Sequence, residues 1–413
     1  MKENLSKVRF LSLLMAVFFL PIHINLNNIF LLIFIITSVF IASLTPKMAL
    51  ENIAKNKTLL FFISIPFTLN FMGLLYTDEL SRGIDYTVRA LPFFLIPLIA
   101  ILSPQVFVTN YKKMGYALIL GCLIVAIWSW FFSVQSLLEE GRPFKELFGP
   151  LYSNHNLLRN LDMHPTYLSI FIYSAIGFIV LEFGHFKKFK KIFYGIIIFV
   201  LLAFMIHLLS RVAIFYFIFS SLVYFIYKKY WVLLAGFAII FILVFAYAYS
   251  TPQNYLRDRL IYNLNLFEKK TQFSKKDDRF DRLSASYEIF KERPIIGYGT
   301  AAESKYRRAI FKRNKDTVAY NENYNAHNQF MEYLSTFGII GALAYLLFFG
   351  RLFYLVYTNK QVFLGFLLTG VFLACVTESV FERSWGVIYT SFVIAFIVSF
   401  ILHNNSLKQN QVA

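Results

Sequence analysis

The chain has 413 residues and a formal net charge of +17, and 58% of its residues are hydrophobic and 19% aromatic. This composition is too apolar for a water-soluble domain, and the chain is too long for one or two membrane anchors. Lipid offers no hydrogen-bond partner to the backbone, so the continuous apolar runs predict membrane-spanning helices and an all-α, polytopic fold.

Apolar runs of about 17 to 23 residues predict about twelve transmembrane helices. The first run follows "MKENLSKVRF" without a small-residue cleavage site, so it is expected to remain a helix. The predicted helices lie near 8–23, 27–45, 58–76, 90–103, 115–135, 165–183, 192–210, 212–227, 231–250, 333–357, 361–377 and 386–402.

Lysines and arginines in the short loops predict the orientation of these helices. They concentrate in alternate segments, which places both termini in the cytoplasm. The chain is then organised as helices 1–9 over 1–250, an external loop domain over 251–326, and helices 10–12 over 327–413. Cys122 and Cys375 lie inside apolar segments away from histidine, which predicts small buried side chains rather than a disulfide or a zinc site.

The external segment 251–326 is too long for a simple connection, so it is a candidate functional domain. It holds 16 Lys/Arg and 10 Asp/Glu, and this basic balance suits an anion such as a lipid headgroup or a diphosphate. The sequence has no nucleic-acid-binding motif. Apolar residues at helical spacing predict an amphipathic helix on the membrane, and a Gly-x-Gly turn follows it. The apolar residues are Phe280, Leu283, Tyr287 and Phe290, and the glycines are Gly297 and Gly299.

Arginines next to apolar runs are the candidate anion ligands. Arg211 interrupts two runs at their external junction, where it is costly unless it snorkels or meets a partner. Arg279 and Arg282 stand near the start of the predicted loop helix, where free N–H groups already favour an anion. Arg89 is more simply interpreted as a snorkelling side chain.

The stretch "NAHNQF" sets His327, Asn328 and Gln329 at the outer end of a long apolar run. A histidine suits proton transfer near neutral pH, and the amides can bind hydroxyls, although a surface histidine without a role fits the residues equally well. Glu378 and Glu382 flank a short external turn and are expected to be surface helix ends rather than a second base.

Three motifs carry a resemblance to a known family. The run "HNQFMEYLSTFGIIG" has His327 and Asn328, then nine residues, Gly338, two residues and Gly341; "LLSR" ends at Arg211; and "PIIGYG" follows Arg279. Their order and spacing resemble the O-antigen ligase and O-antigen polymerase superfamily. Many relatives have Trp where Leu283 stands here.

The resemblance implies a GT-C-like glycosyltransferase of the inner membrane that faces the periplasm and needs no metal or cofactor. The donor would be a glycan on undecaprenyl diphosphate. His327 would deprotonate or orient the attacking hydroxyl and Arg211 and Arg279 would bind the diphosphate, with inversion at the anomeric carbon. Arg282, Arg89 and Asn328 are weaker candidates.

The acceptor stays open among a lipid A–core sugar, which would make the protein a ligase, a growing lipid-linked polymer, and a protein hydroxyl. A flippase or transporter of lipid-linked sugar is a different class with the same number of helices. It is disfavoured because the predicted spans carry almost no charge and the sequence shows no internal repeat.

Overall fold

The computed structural model describes residues 2–161, 163–208, 210–231, scattered positions between 234 and 246, and 279–412. These described residues form helices and turns and include no strand, which confirms the all-helical fold. The α-helices are α1 (Lys2–Phe19), α2 (Ile24–Ser43), α3 (Pro46–Lys55), α4 (Lys57–Ile63), α5 (Ile65–Gly73), α6 (Leu80–Ala90), α7 (Pro92–Leu102), α8 (Gln105–Glu139), α9 (Pro165–Glu182), α10 (Lys188–His207), α11 (Arg211–Lys228), α12 (Arg279–Glu292), α13 (Glu303–Arg313), α14 (Thr317–Asn321), α15 (Gln329–Thr358), α16 (Val362–Thr377) and α17 (Ser384–Val412).

Within the described residues, seven helical stretches are long and apolar enough to cross a membrane. They coincide with seven of the predicted spans. They are Ile24–Ser43, Leu80–Leu102, Gln105–Glu139, Pro165–His185, Lys188–His207, Gln329–Thr358 and Ser384–Leu407.

The other predicted spans differ for local reasons. The first, α1, carries Lys2, Glu3, Lys7 and Arg9 in its first half, which makes it too charged for a clear span. The run 58–76 divides into α4 and α5 at Ser64, because Pro66 lacks the N–H that a continuous helix needs. The run 212–227 lies in α11 and 361–377 is the short apolar α16, while 231–250 falls largely outside the described residues.

The chain divides into two compact units, and one of them comprises 1–16, 28–112 and 276–413. In this unit α7 packs along α17, and α15 packs against both α16 and α12. An aromatic cluster anchors the turn between α16 and α17. Phe381 meets Phe93 edge-on at a ring-centroid distance of 4.8 Å and stacks on Phe349 at 6.2 Å.

The second unit comprises 17–27 and 113–275, and in it α9 packs against α10 and α11. His207, the last residue of α10, connects α10 to α8 and to the segment between α8 and α9. Trp130 Nε1 donates to His207 Nδ1 at 3.0 Å, and His207 Nε2 lies 2.9 Å from the Leu147 carbonyl oxygen. Asn154 Nδ2 donates to the Leu208 carbonyl at 3.0 Å, so this loop also fixes the turn that leads into Arg211.

Residues 279–326, the described part of the long segment before α15, have a small core of their own. Its buried members are Ala285, Ile289, Tyr298, Ala302, Ile310, Phe311 and Ala319. The predicted helix is present as α12, and one of its faces packs into this core. Phe280 and Tyr287 are exposed, whereas Ala285, Ser286 and Ile289 are buried.

Gly297 and Gly338 lie where the Gly-x-Gly turn and α15 approach each other closely. Gly338 has φ +63° and kinks α15, and the freed N–H groups of Ile339 and Ile340 donate to the carbonyls of Pro294 and Ile295. A Cβ on Gly338 would lie 2.4 Å from the Ile295 oxygen, and one on Gly297 would lie 2.3 Å from the Thr336 oxygen. Only glycine allows this approach, so the loop locks the kink in place.

Candidate active site

The turn before α15 holds His327 in a strained backbone conformation. His327 has φ +48°, in the left-handed region that a non-glycine residue rarely adopts. Its N–H donates to Asn325 Oδ1 at 3.1 Å, and Asn325 Nδ2 donates to Glu382 Oε2 at 2.7 Å. Such a conformation persists only where its surroundings over-determine it, and this is typical of functional sites.

Asn328 connects this turn to the neighbouring helix. Its Oδ1 accepts the N–H of Met331 at 2.9 Å, which caps α15, and its Nδ2 donates to the Val376 carbonyl at 2.8 Å. Next to it, the buried Gln329 accepts the Phe381 N–H at 2.7 Å. Both ends of the Asn328 amide are thus used inside the protein, so the group fixes the turn.

The His327 imidazole lies between a carboxylate and an aromatic ring. Its Nδ1 is 3.1 Å from Glu378 Oε2, and its ring packs edge-on to Tyr324 at 6.3 Å. The His327 side chain is 22% exposed and that of Glu378 11%, so both groups are shielded while the imidazole keeps some access to a ligand. The expectation of surface helix ends is wrong for Glu378, and Glu382 is only partly exposed.

Two of the weaker arginine candidates lie beside this turn. The Arg282 guanidinium stacks over Tyr324 at 3.9 Å from the ring centroid, on the aromatic side chain that also contacts His327. Arg89 Nη1 donates to the Glu382 carbonyl at 2.5 Å. The Arg89 guanidinium carbon lies 4.8 Å from the centroid of the Tyr86 ring. The Arg89 guanidinium therefore binds groups of the protein itself.

The two preferred arginines begin helices. Arg211 is the first residue of α11, after Ser210, and the described part of α12 begins at Arg279. The side chains of both arginines lie outside the described residues. A helix N-terminus presents free N–H groups to an anion, as the sequence argument assumed for Arg279.

A buried ionic cluster contacts the His327 turn. Glu303, Glu332 and Glu382 place carboxylate oxygens within 4.8 Å of one another. Arg307 Nη2 donates to Glu332 Oε1 at 2.5 Å, and the Ala326 N–H and the Ser379 hydroxyl donate to Glu332 Oε2 at 2.8 and 3.2 Å.

One arginine cannot neutralise three carboxylates, so the cluster favours bound protons. Burial, followed by the charge of Glu332, raises the pKa of Glu303 to about 7. Enclosure of the Glu382 carboxyl group, followed by the charges of Glu332 and Glu303, raises its pKa well above the ordinary range. Burial opposes the charged form of Arg307, but the Glu332 and Glu303 charges outweigh it and raise the pKa of Arg307.

Among the described residues, this group of three carboxylates is the one spaced for a metal ion. Its oxygens are already engaged, however. Glu332 accepts from three donors and Glu382 accepts from Asn325, which leaves Glu303 Oε2 as the carboxylate oxygen of the cluster without a hydrogen bond. The donor set therefore fits an arginine and shared protons better than a cation.

Residues 196–346 match the protein-family model described as O-antigen ligase. This stretch is less than half of the chain, and its similarity supports the O-antigen ligase and polymerase superfamily. The match confirms the resemblance, and it includes Arg211, Arg279 and His327. No sequence among the curated proteins matches the chain.

Sequence reasoning missed the ionic cluster. Glu332 offered a signal, because it stands inside an apolar run, where an acidic residue is a functional or structural hypothesis by default. Glu303 and Arg307 gave none, since they belong to a loop rich in charges of both signs, and their burial depends on the tertiary fold.

Proposed function

We propose that the protein transfers a glycan from undecaprenyl diphosphate to an acceptor hydroxyl at the outer face of the inner membrane. The acceptor is a lipid A–core sugar, which makes the protein an O-antigen ligase; a growing polymer or a protein hydroxyl are the alternatives. This proposal includes a GT-C-like arrangement of about twelve helices, cytoplasmic termini and a periplasmic site.

The observation that carries the proposal is the His327 turn. A strained backbone conformation is held by a network through Asn325 and Glu382, and it presents a partly accessible imidazole at the outer end of an apolar helix. The family match over residues 196–346 includes this turn and supports glycan transfer.

In the proposed reaction, His327 accepts the proton of the acceptor hydroxyl as its oxygen attacks the anomeric carbon. The bond between that carbon and the phosphate oxygen breaks, and the lipid diphosphate leaves with the electron pair. Arg211 and Arg279 stabilise the negative charge of the leaving group through paired N–H contacts, so no metal is required. Attack from the opposite face inverts the anomeric centre.

Reconstituted transfer from a defined lipid-linked donor tests the proposal, with donor binding measured separately. His327→Ala should keep donor affinity and lose about 10²- to 10⁴-fold in turnover, and the defect should shrink at higher pH. The matched control is His185→Ala, which changes an exposed histidine at the end of α9. Normal turnover of His327→Ala at saturating donor, with weakened donor binding, would make His327 a diphosphate ligand instead.

Arg211→Ala and Arg279→Ala should abolish transfer by removing donor binding in protein that still inserts, and lysine should restore only part of it, because it lacks the planar fork. Arg313→Ala is the control, since Arg313 forms an exposed ion pair with Glu288. Donor binding at wild-type strength in both alanine variants would refute the diphosphate role.

A further inference from the structure

The geometry points to Glu378 as the positioning residue for His327: its carboxylate binds the Nδ1 side of the imidazole, so that Nε2 receives the proton of the acceptor. This inference rests on the proposed function, and it names a residue that the sequence motifs did not include.

The position of Glu378 is fixed by the end of α16. Glu378 caps this helix in an extended conformation, with φ −146° and ψ 150°, and its N–H donates to the Ala374 carbonyl at 2.8 Å. Asn328 ties the same helix end to the His327 turn through the Val376 carbonyl. The carboxylate and the imidazole are therefore held together by two independent backbone anchors.

The atoms of the pair are at ion-pair distance but not in line. Nδ1 of His327 and Oε2 of Glu378 are 3.1 Å apart, while Nδ1 is shielded from solvent and makes no aligned hydrogen bond. A small rotation of either side chain completes the bond to Glu378. Catalytic hydrogen bonds are often poorly aligned before the substrate binds and tighten in the complex.

A carboxylate at Nδ1 has two effects on a general base. It fixes the tautomer with the proton on Nδ1, which leaves the Nε2 lone pair free for the hydroxyl proton, and it stabilises the imidazolium that forms. The transferred proton ends on His327 Nε2. The imidazolium then returns this proton to solvent before the next cycle.

Other charged groups surround the turn, and each must be considered in reading a pH profile. They approach from α6, α12, α13, α15 and the turn after α16, and they are Arg89, Arg282, Glu303, Arg307, Glu332 and Glu382. The carboxylates among these groups differ in which part of the turn they contact. Glu382 supports the backbone through Asn325, whereas Glu378 alone among the described carboxylates lies within 4 Å of the imidazole nitrogens.

The test is Glu378→Gln in the full-length, reconstituted protein. We expect kcat to fall at least about tenfold and the KM for the lipid-linked donor to stay within about twofold, as for a group that orients a base. Glu378→Asp should restore part of the rate. Glu322→Gln is the matched control, since Glu322 is exposed and five residues before His327.

A double-variant cycle separates this inference from the proposed function and from simple misfolding. Adding Glu378→Gln to His327→Ala should leave the residual transfer unchanged, because the carboxylate acts through the imidazole. Loss of activity in His327→Ala together with full activity in Glu378→Gln would overturn the positioning role alone. Equal losses from Glu378→Gln in both backgrounds would also overturn it. Full activity of His327→Ala would refute the proposed base, and the role of Glu378 with it.

Discussion

The carboxylate cluster makes the stability of the protein depend on pH, and Glu303→Gln isolates this effect. Glu303 is 2% exposed and lies close to the Glu332 carboxylate, with Arg307 as the nearest opposite charge. Its pKa is raised from 4.5 to about 7 by burial and then by the Glu332 charge. Between about pH 4.5 and pH 7, Glu303 is therefore protonated in the folded state and deprotonated in the unfolded state.

The sign and size of the effect follow from this difference. The stabilisation is fully present below about pH 4.5, falls as the pH rises through about 7, and changes little above that value. At about 1.4 kcal/mol per pH unit, the loss is about 3 kcal/mol. Glutamine resembles the protonated acid in shape and does not titrate, so Glu303→Gln should match the wild type near pH 5 and exceed it near pH 8.

Thermal unfolding in detergent, followed by intrinsic fluorescence at pH 5 and pH 8, measures this difference. The wild type should lose several degrees more than Glu303→Gln between the two values, and the exposed Glu322→Gln variant should behave as the wild type. Parallel pH dependence of the wild type and Glu303→Gln would refute the argument that the folded protein holds this proton.

Two further substitutions test how the elements around the turn are joined. Arg307→Met should lower the free energy of unfolding by about 3 to 5 kcal/mol, because it leaves buried carboxylates uncompensated. Adding Glu332→Gln should recover part of this loss. If thermal unfolding shows that the losses of the two substitutions simply add, Arg307 and Glu332 do not interact directly. Gly338→Ala should lower both the melting temperature and the transfer activity, because a Cβ at this position meets the Ile295 carbonyl. Gly350→Ala in the same helix is the control. Its Cβ would enter open space, so this variant should be neutral or slightly stabilising. Equal melting temperatures for the two alanine variants would show that the kink does not need glycine.

The sequence predicted helices well where hydropathy alone decides the structure. Spans such as α10 and α17 are continuous apolar runs, and their positions agree with the prediction. It predicted poorly where a short polar or proline-containing break divides a run, as at Ser64, because hydropathy averaged over a window hides such a break. Helical spacing also did not tell which face of α12 packs into the protein core, where Ala285 and Ile289 are buried.

The sequence predicted the central residues of the candidate site but not the residues that hold them in place. His327 and the motif glycines stand out in sequence because their residue types are unusual at those positions. Glu378 does not, because a glutamate after an apolar helix is most often a solvated helix end, and its neighbour His327 is 51 residues away in the chain. Only the packing of α16 against α15 brings the two side chains together.

The spacing of the family motif has a structural reason in this fold. Nine residues separate Asn328 from Gly338, and they form the first part of α15 between a capped start and a kink fixed by the 294–300 loop. An inserted residue would turn the His327 end by about 100° relative to that loop. It would also break the register of Glu332, whose carboxylate joins the Arg307 of α13 to the Ser379 of the turn after α16. The loop motif, the ionic cluster and the histidine turn therefore act as one rigid support, and the strain at His327 can persist because each of these contacts opposes its relaxation.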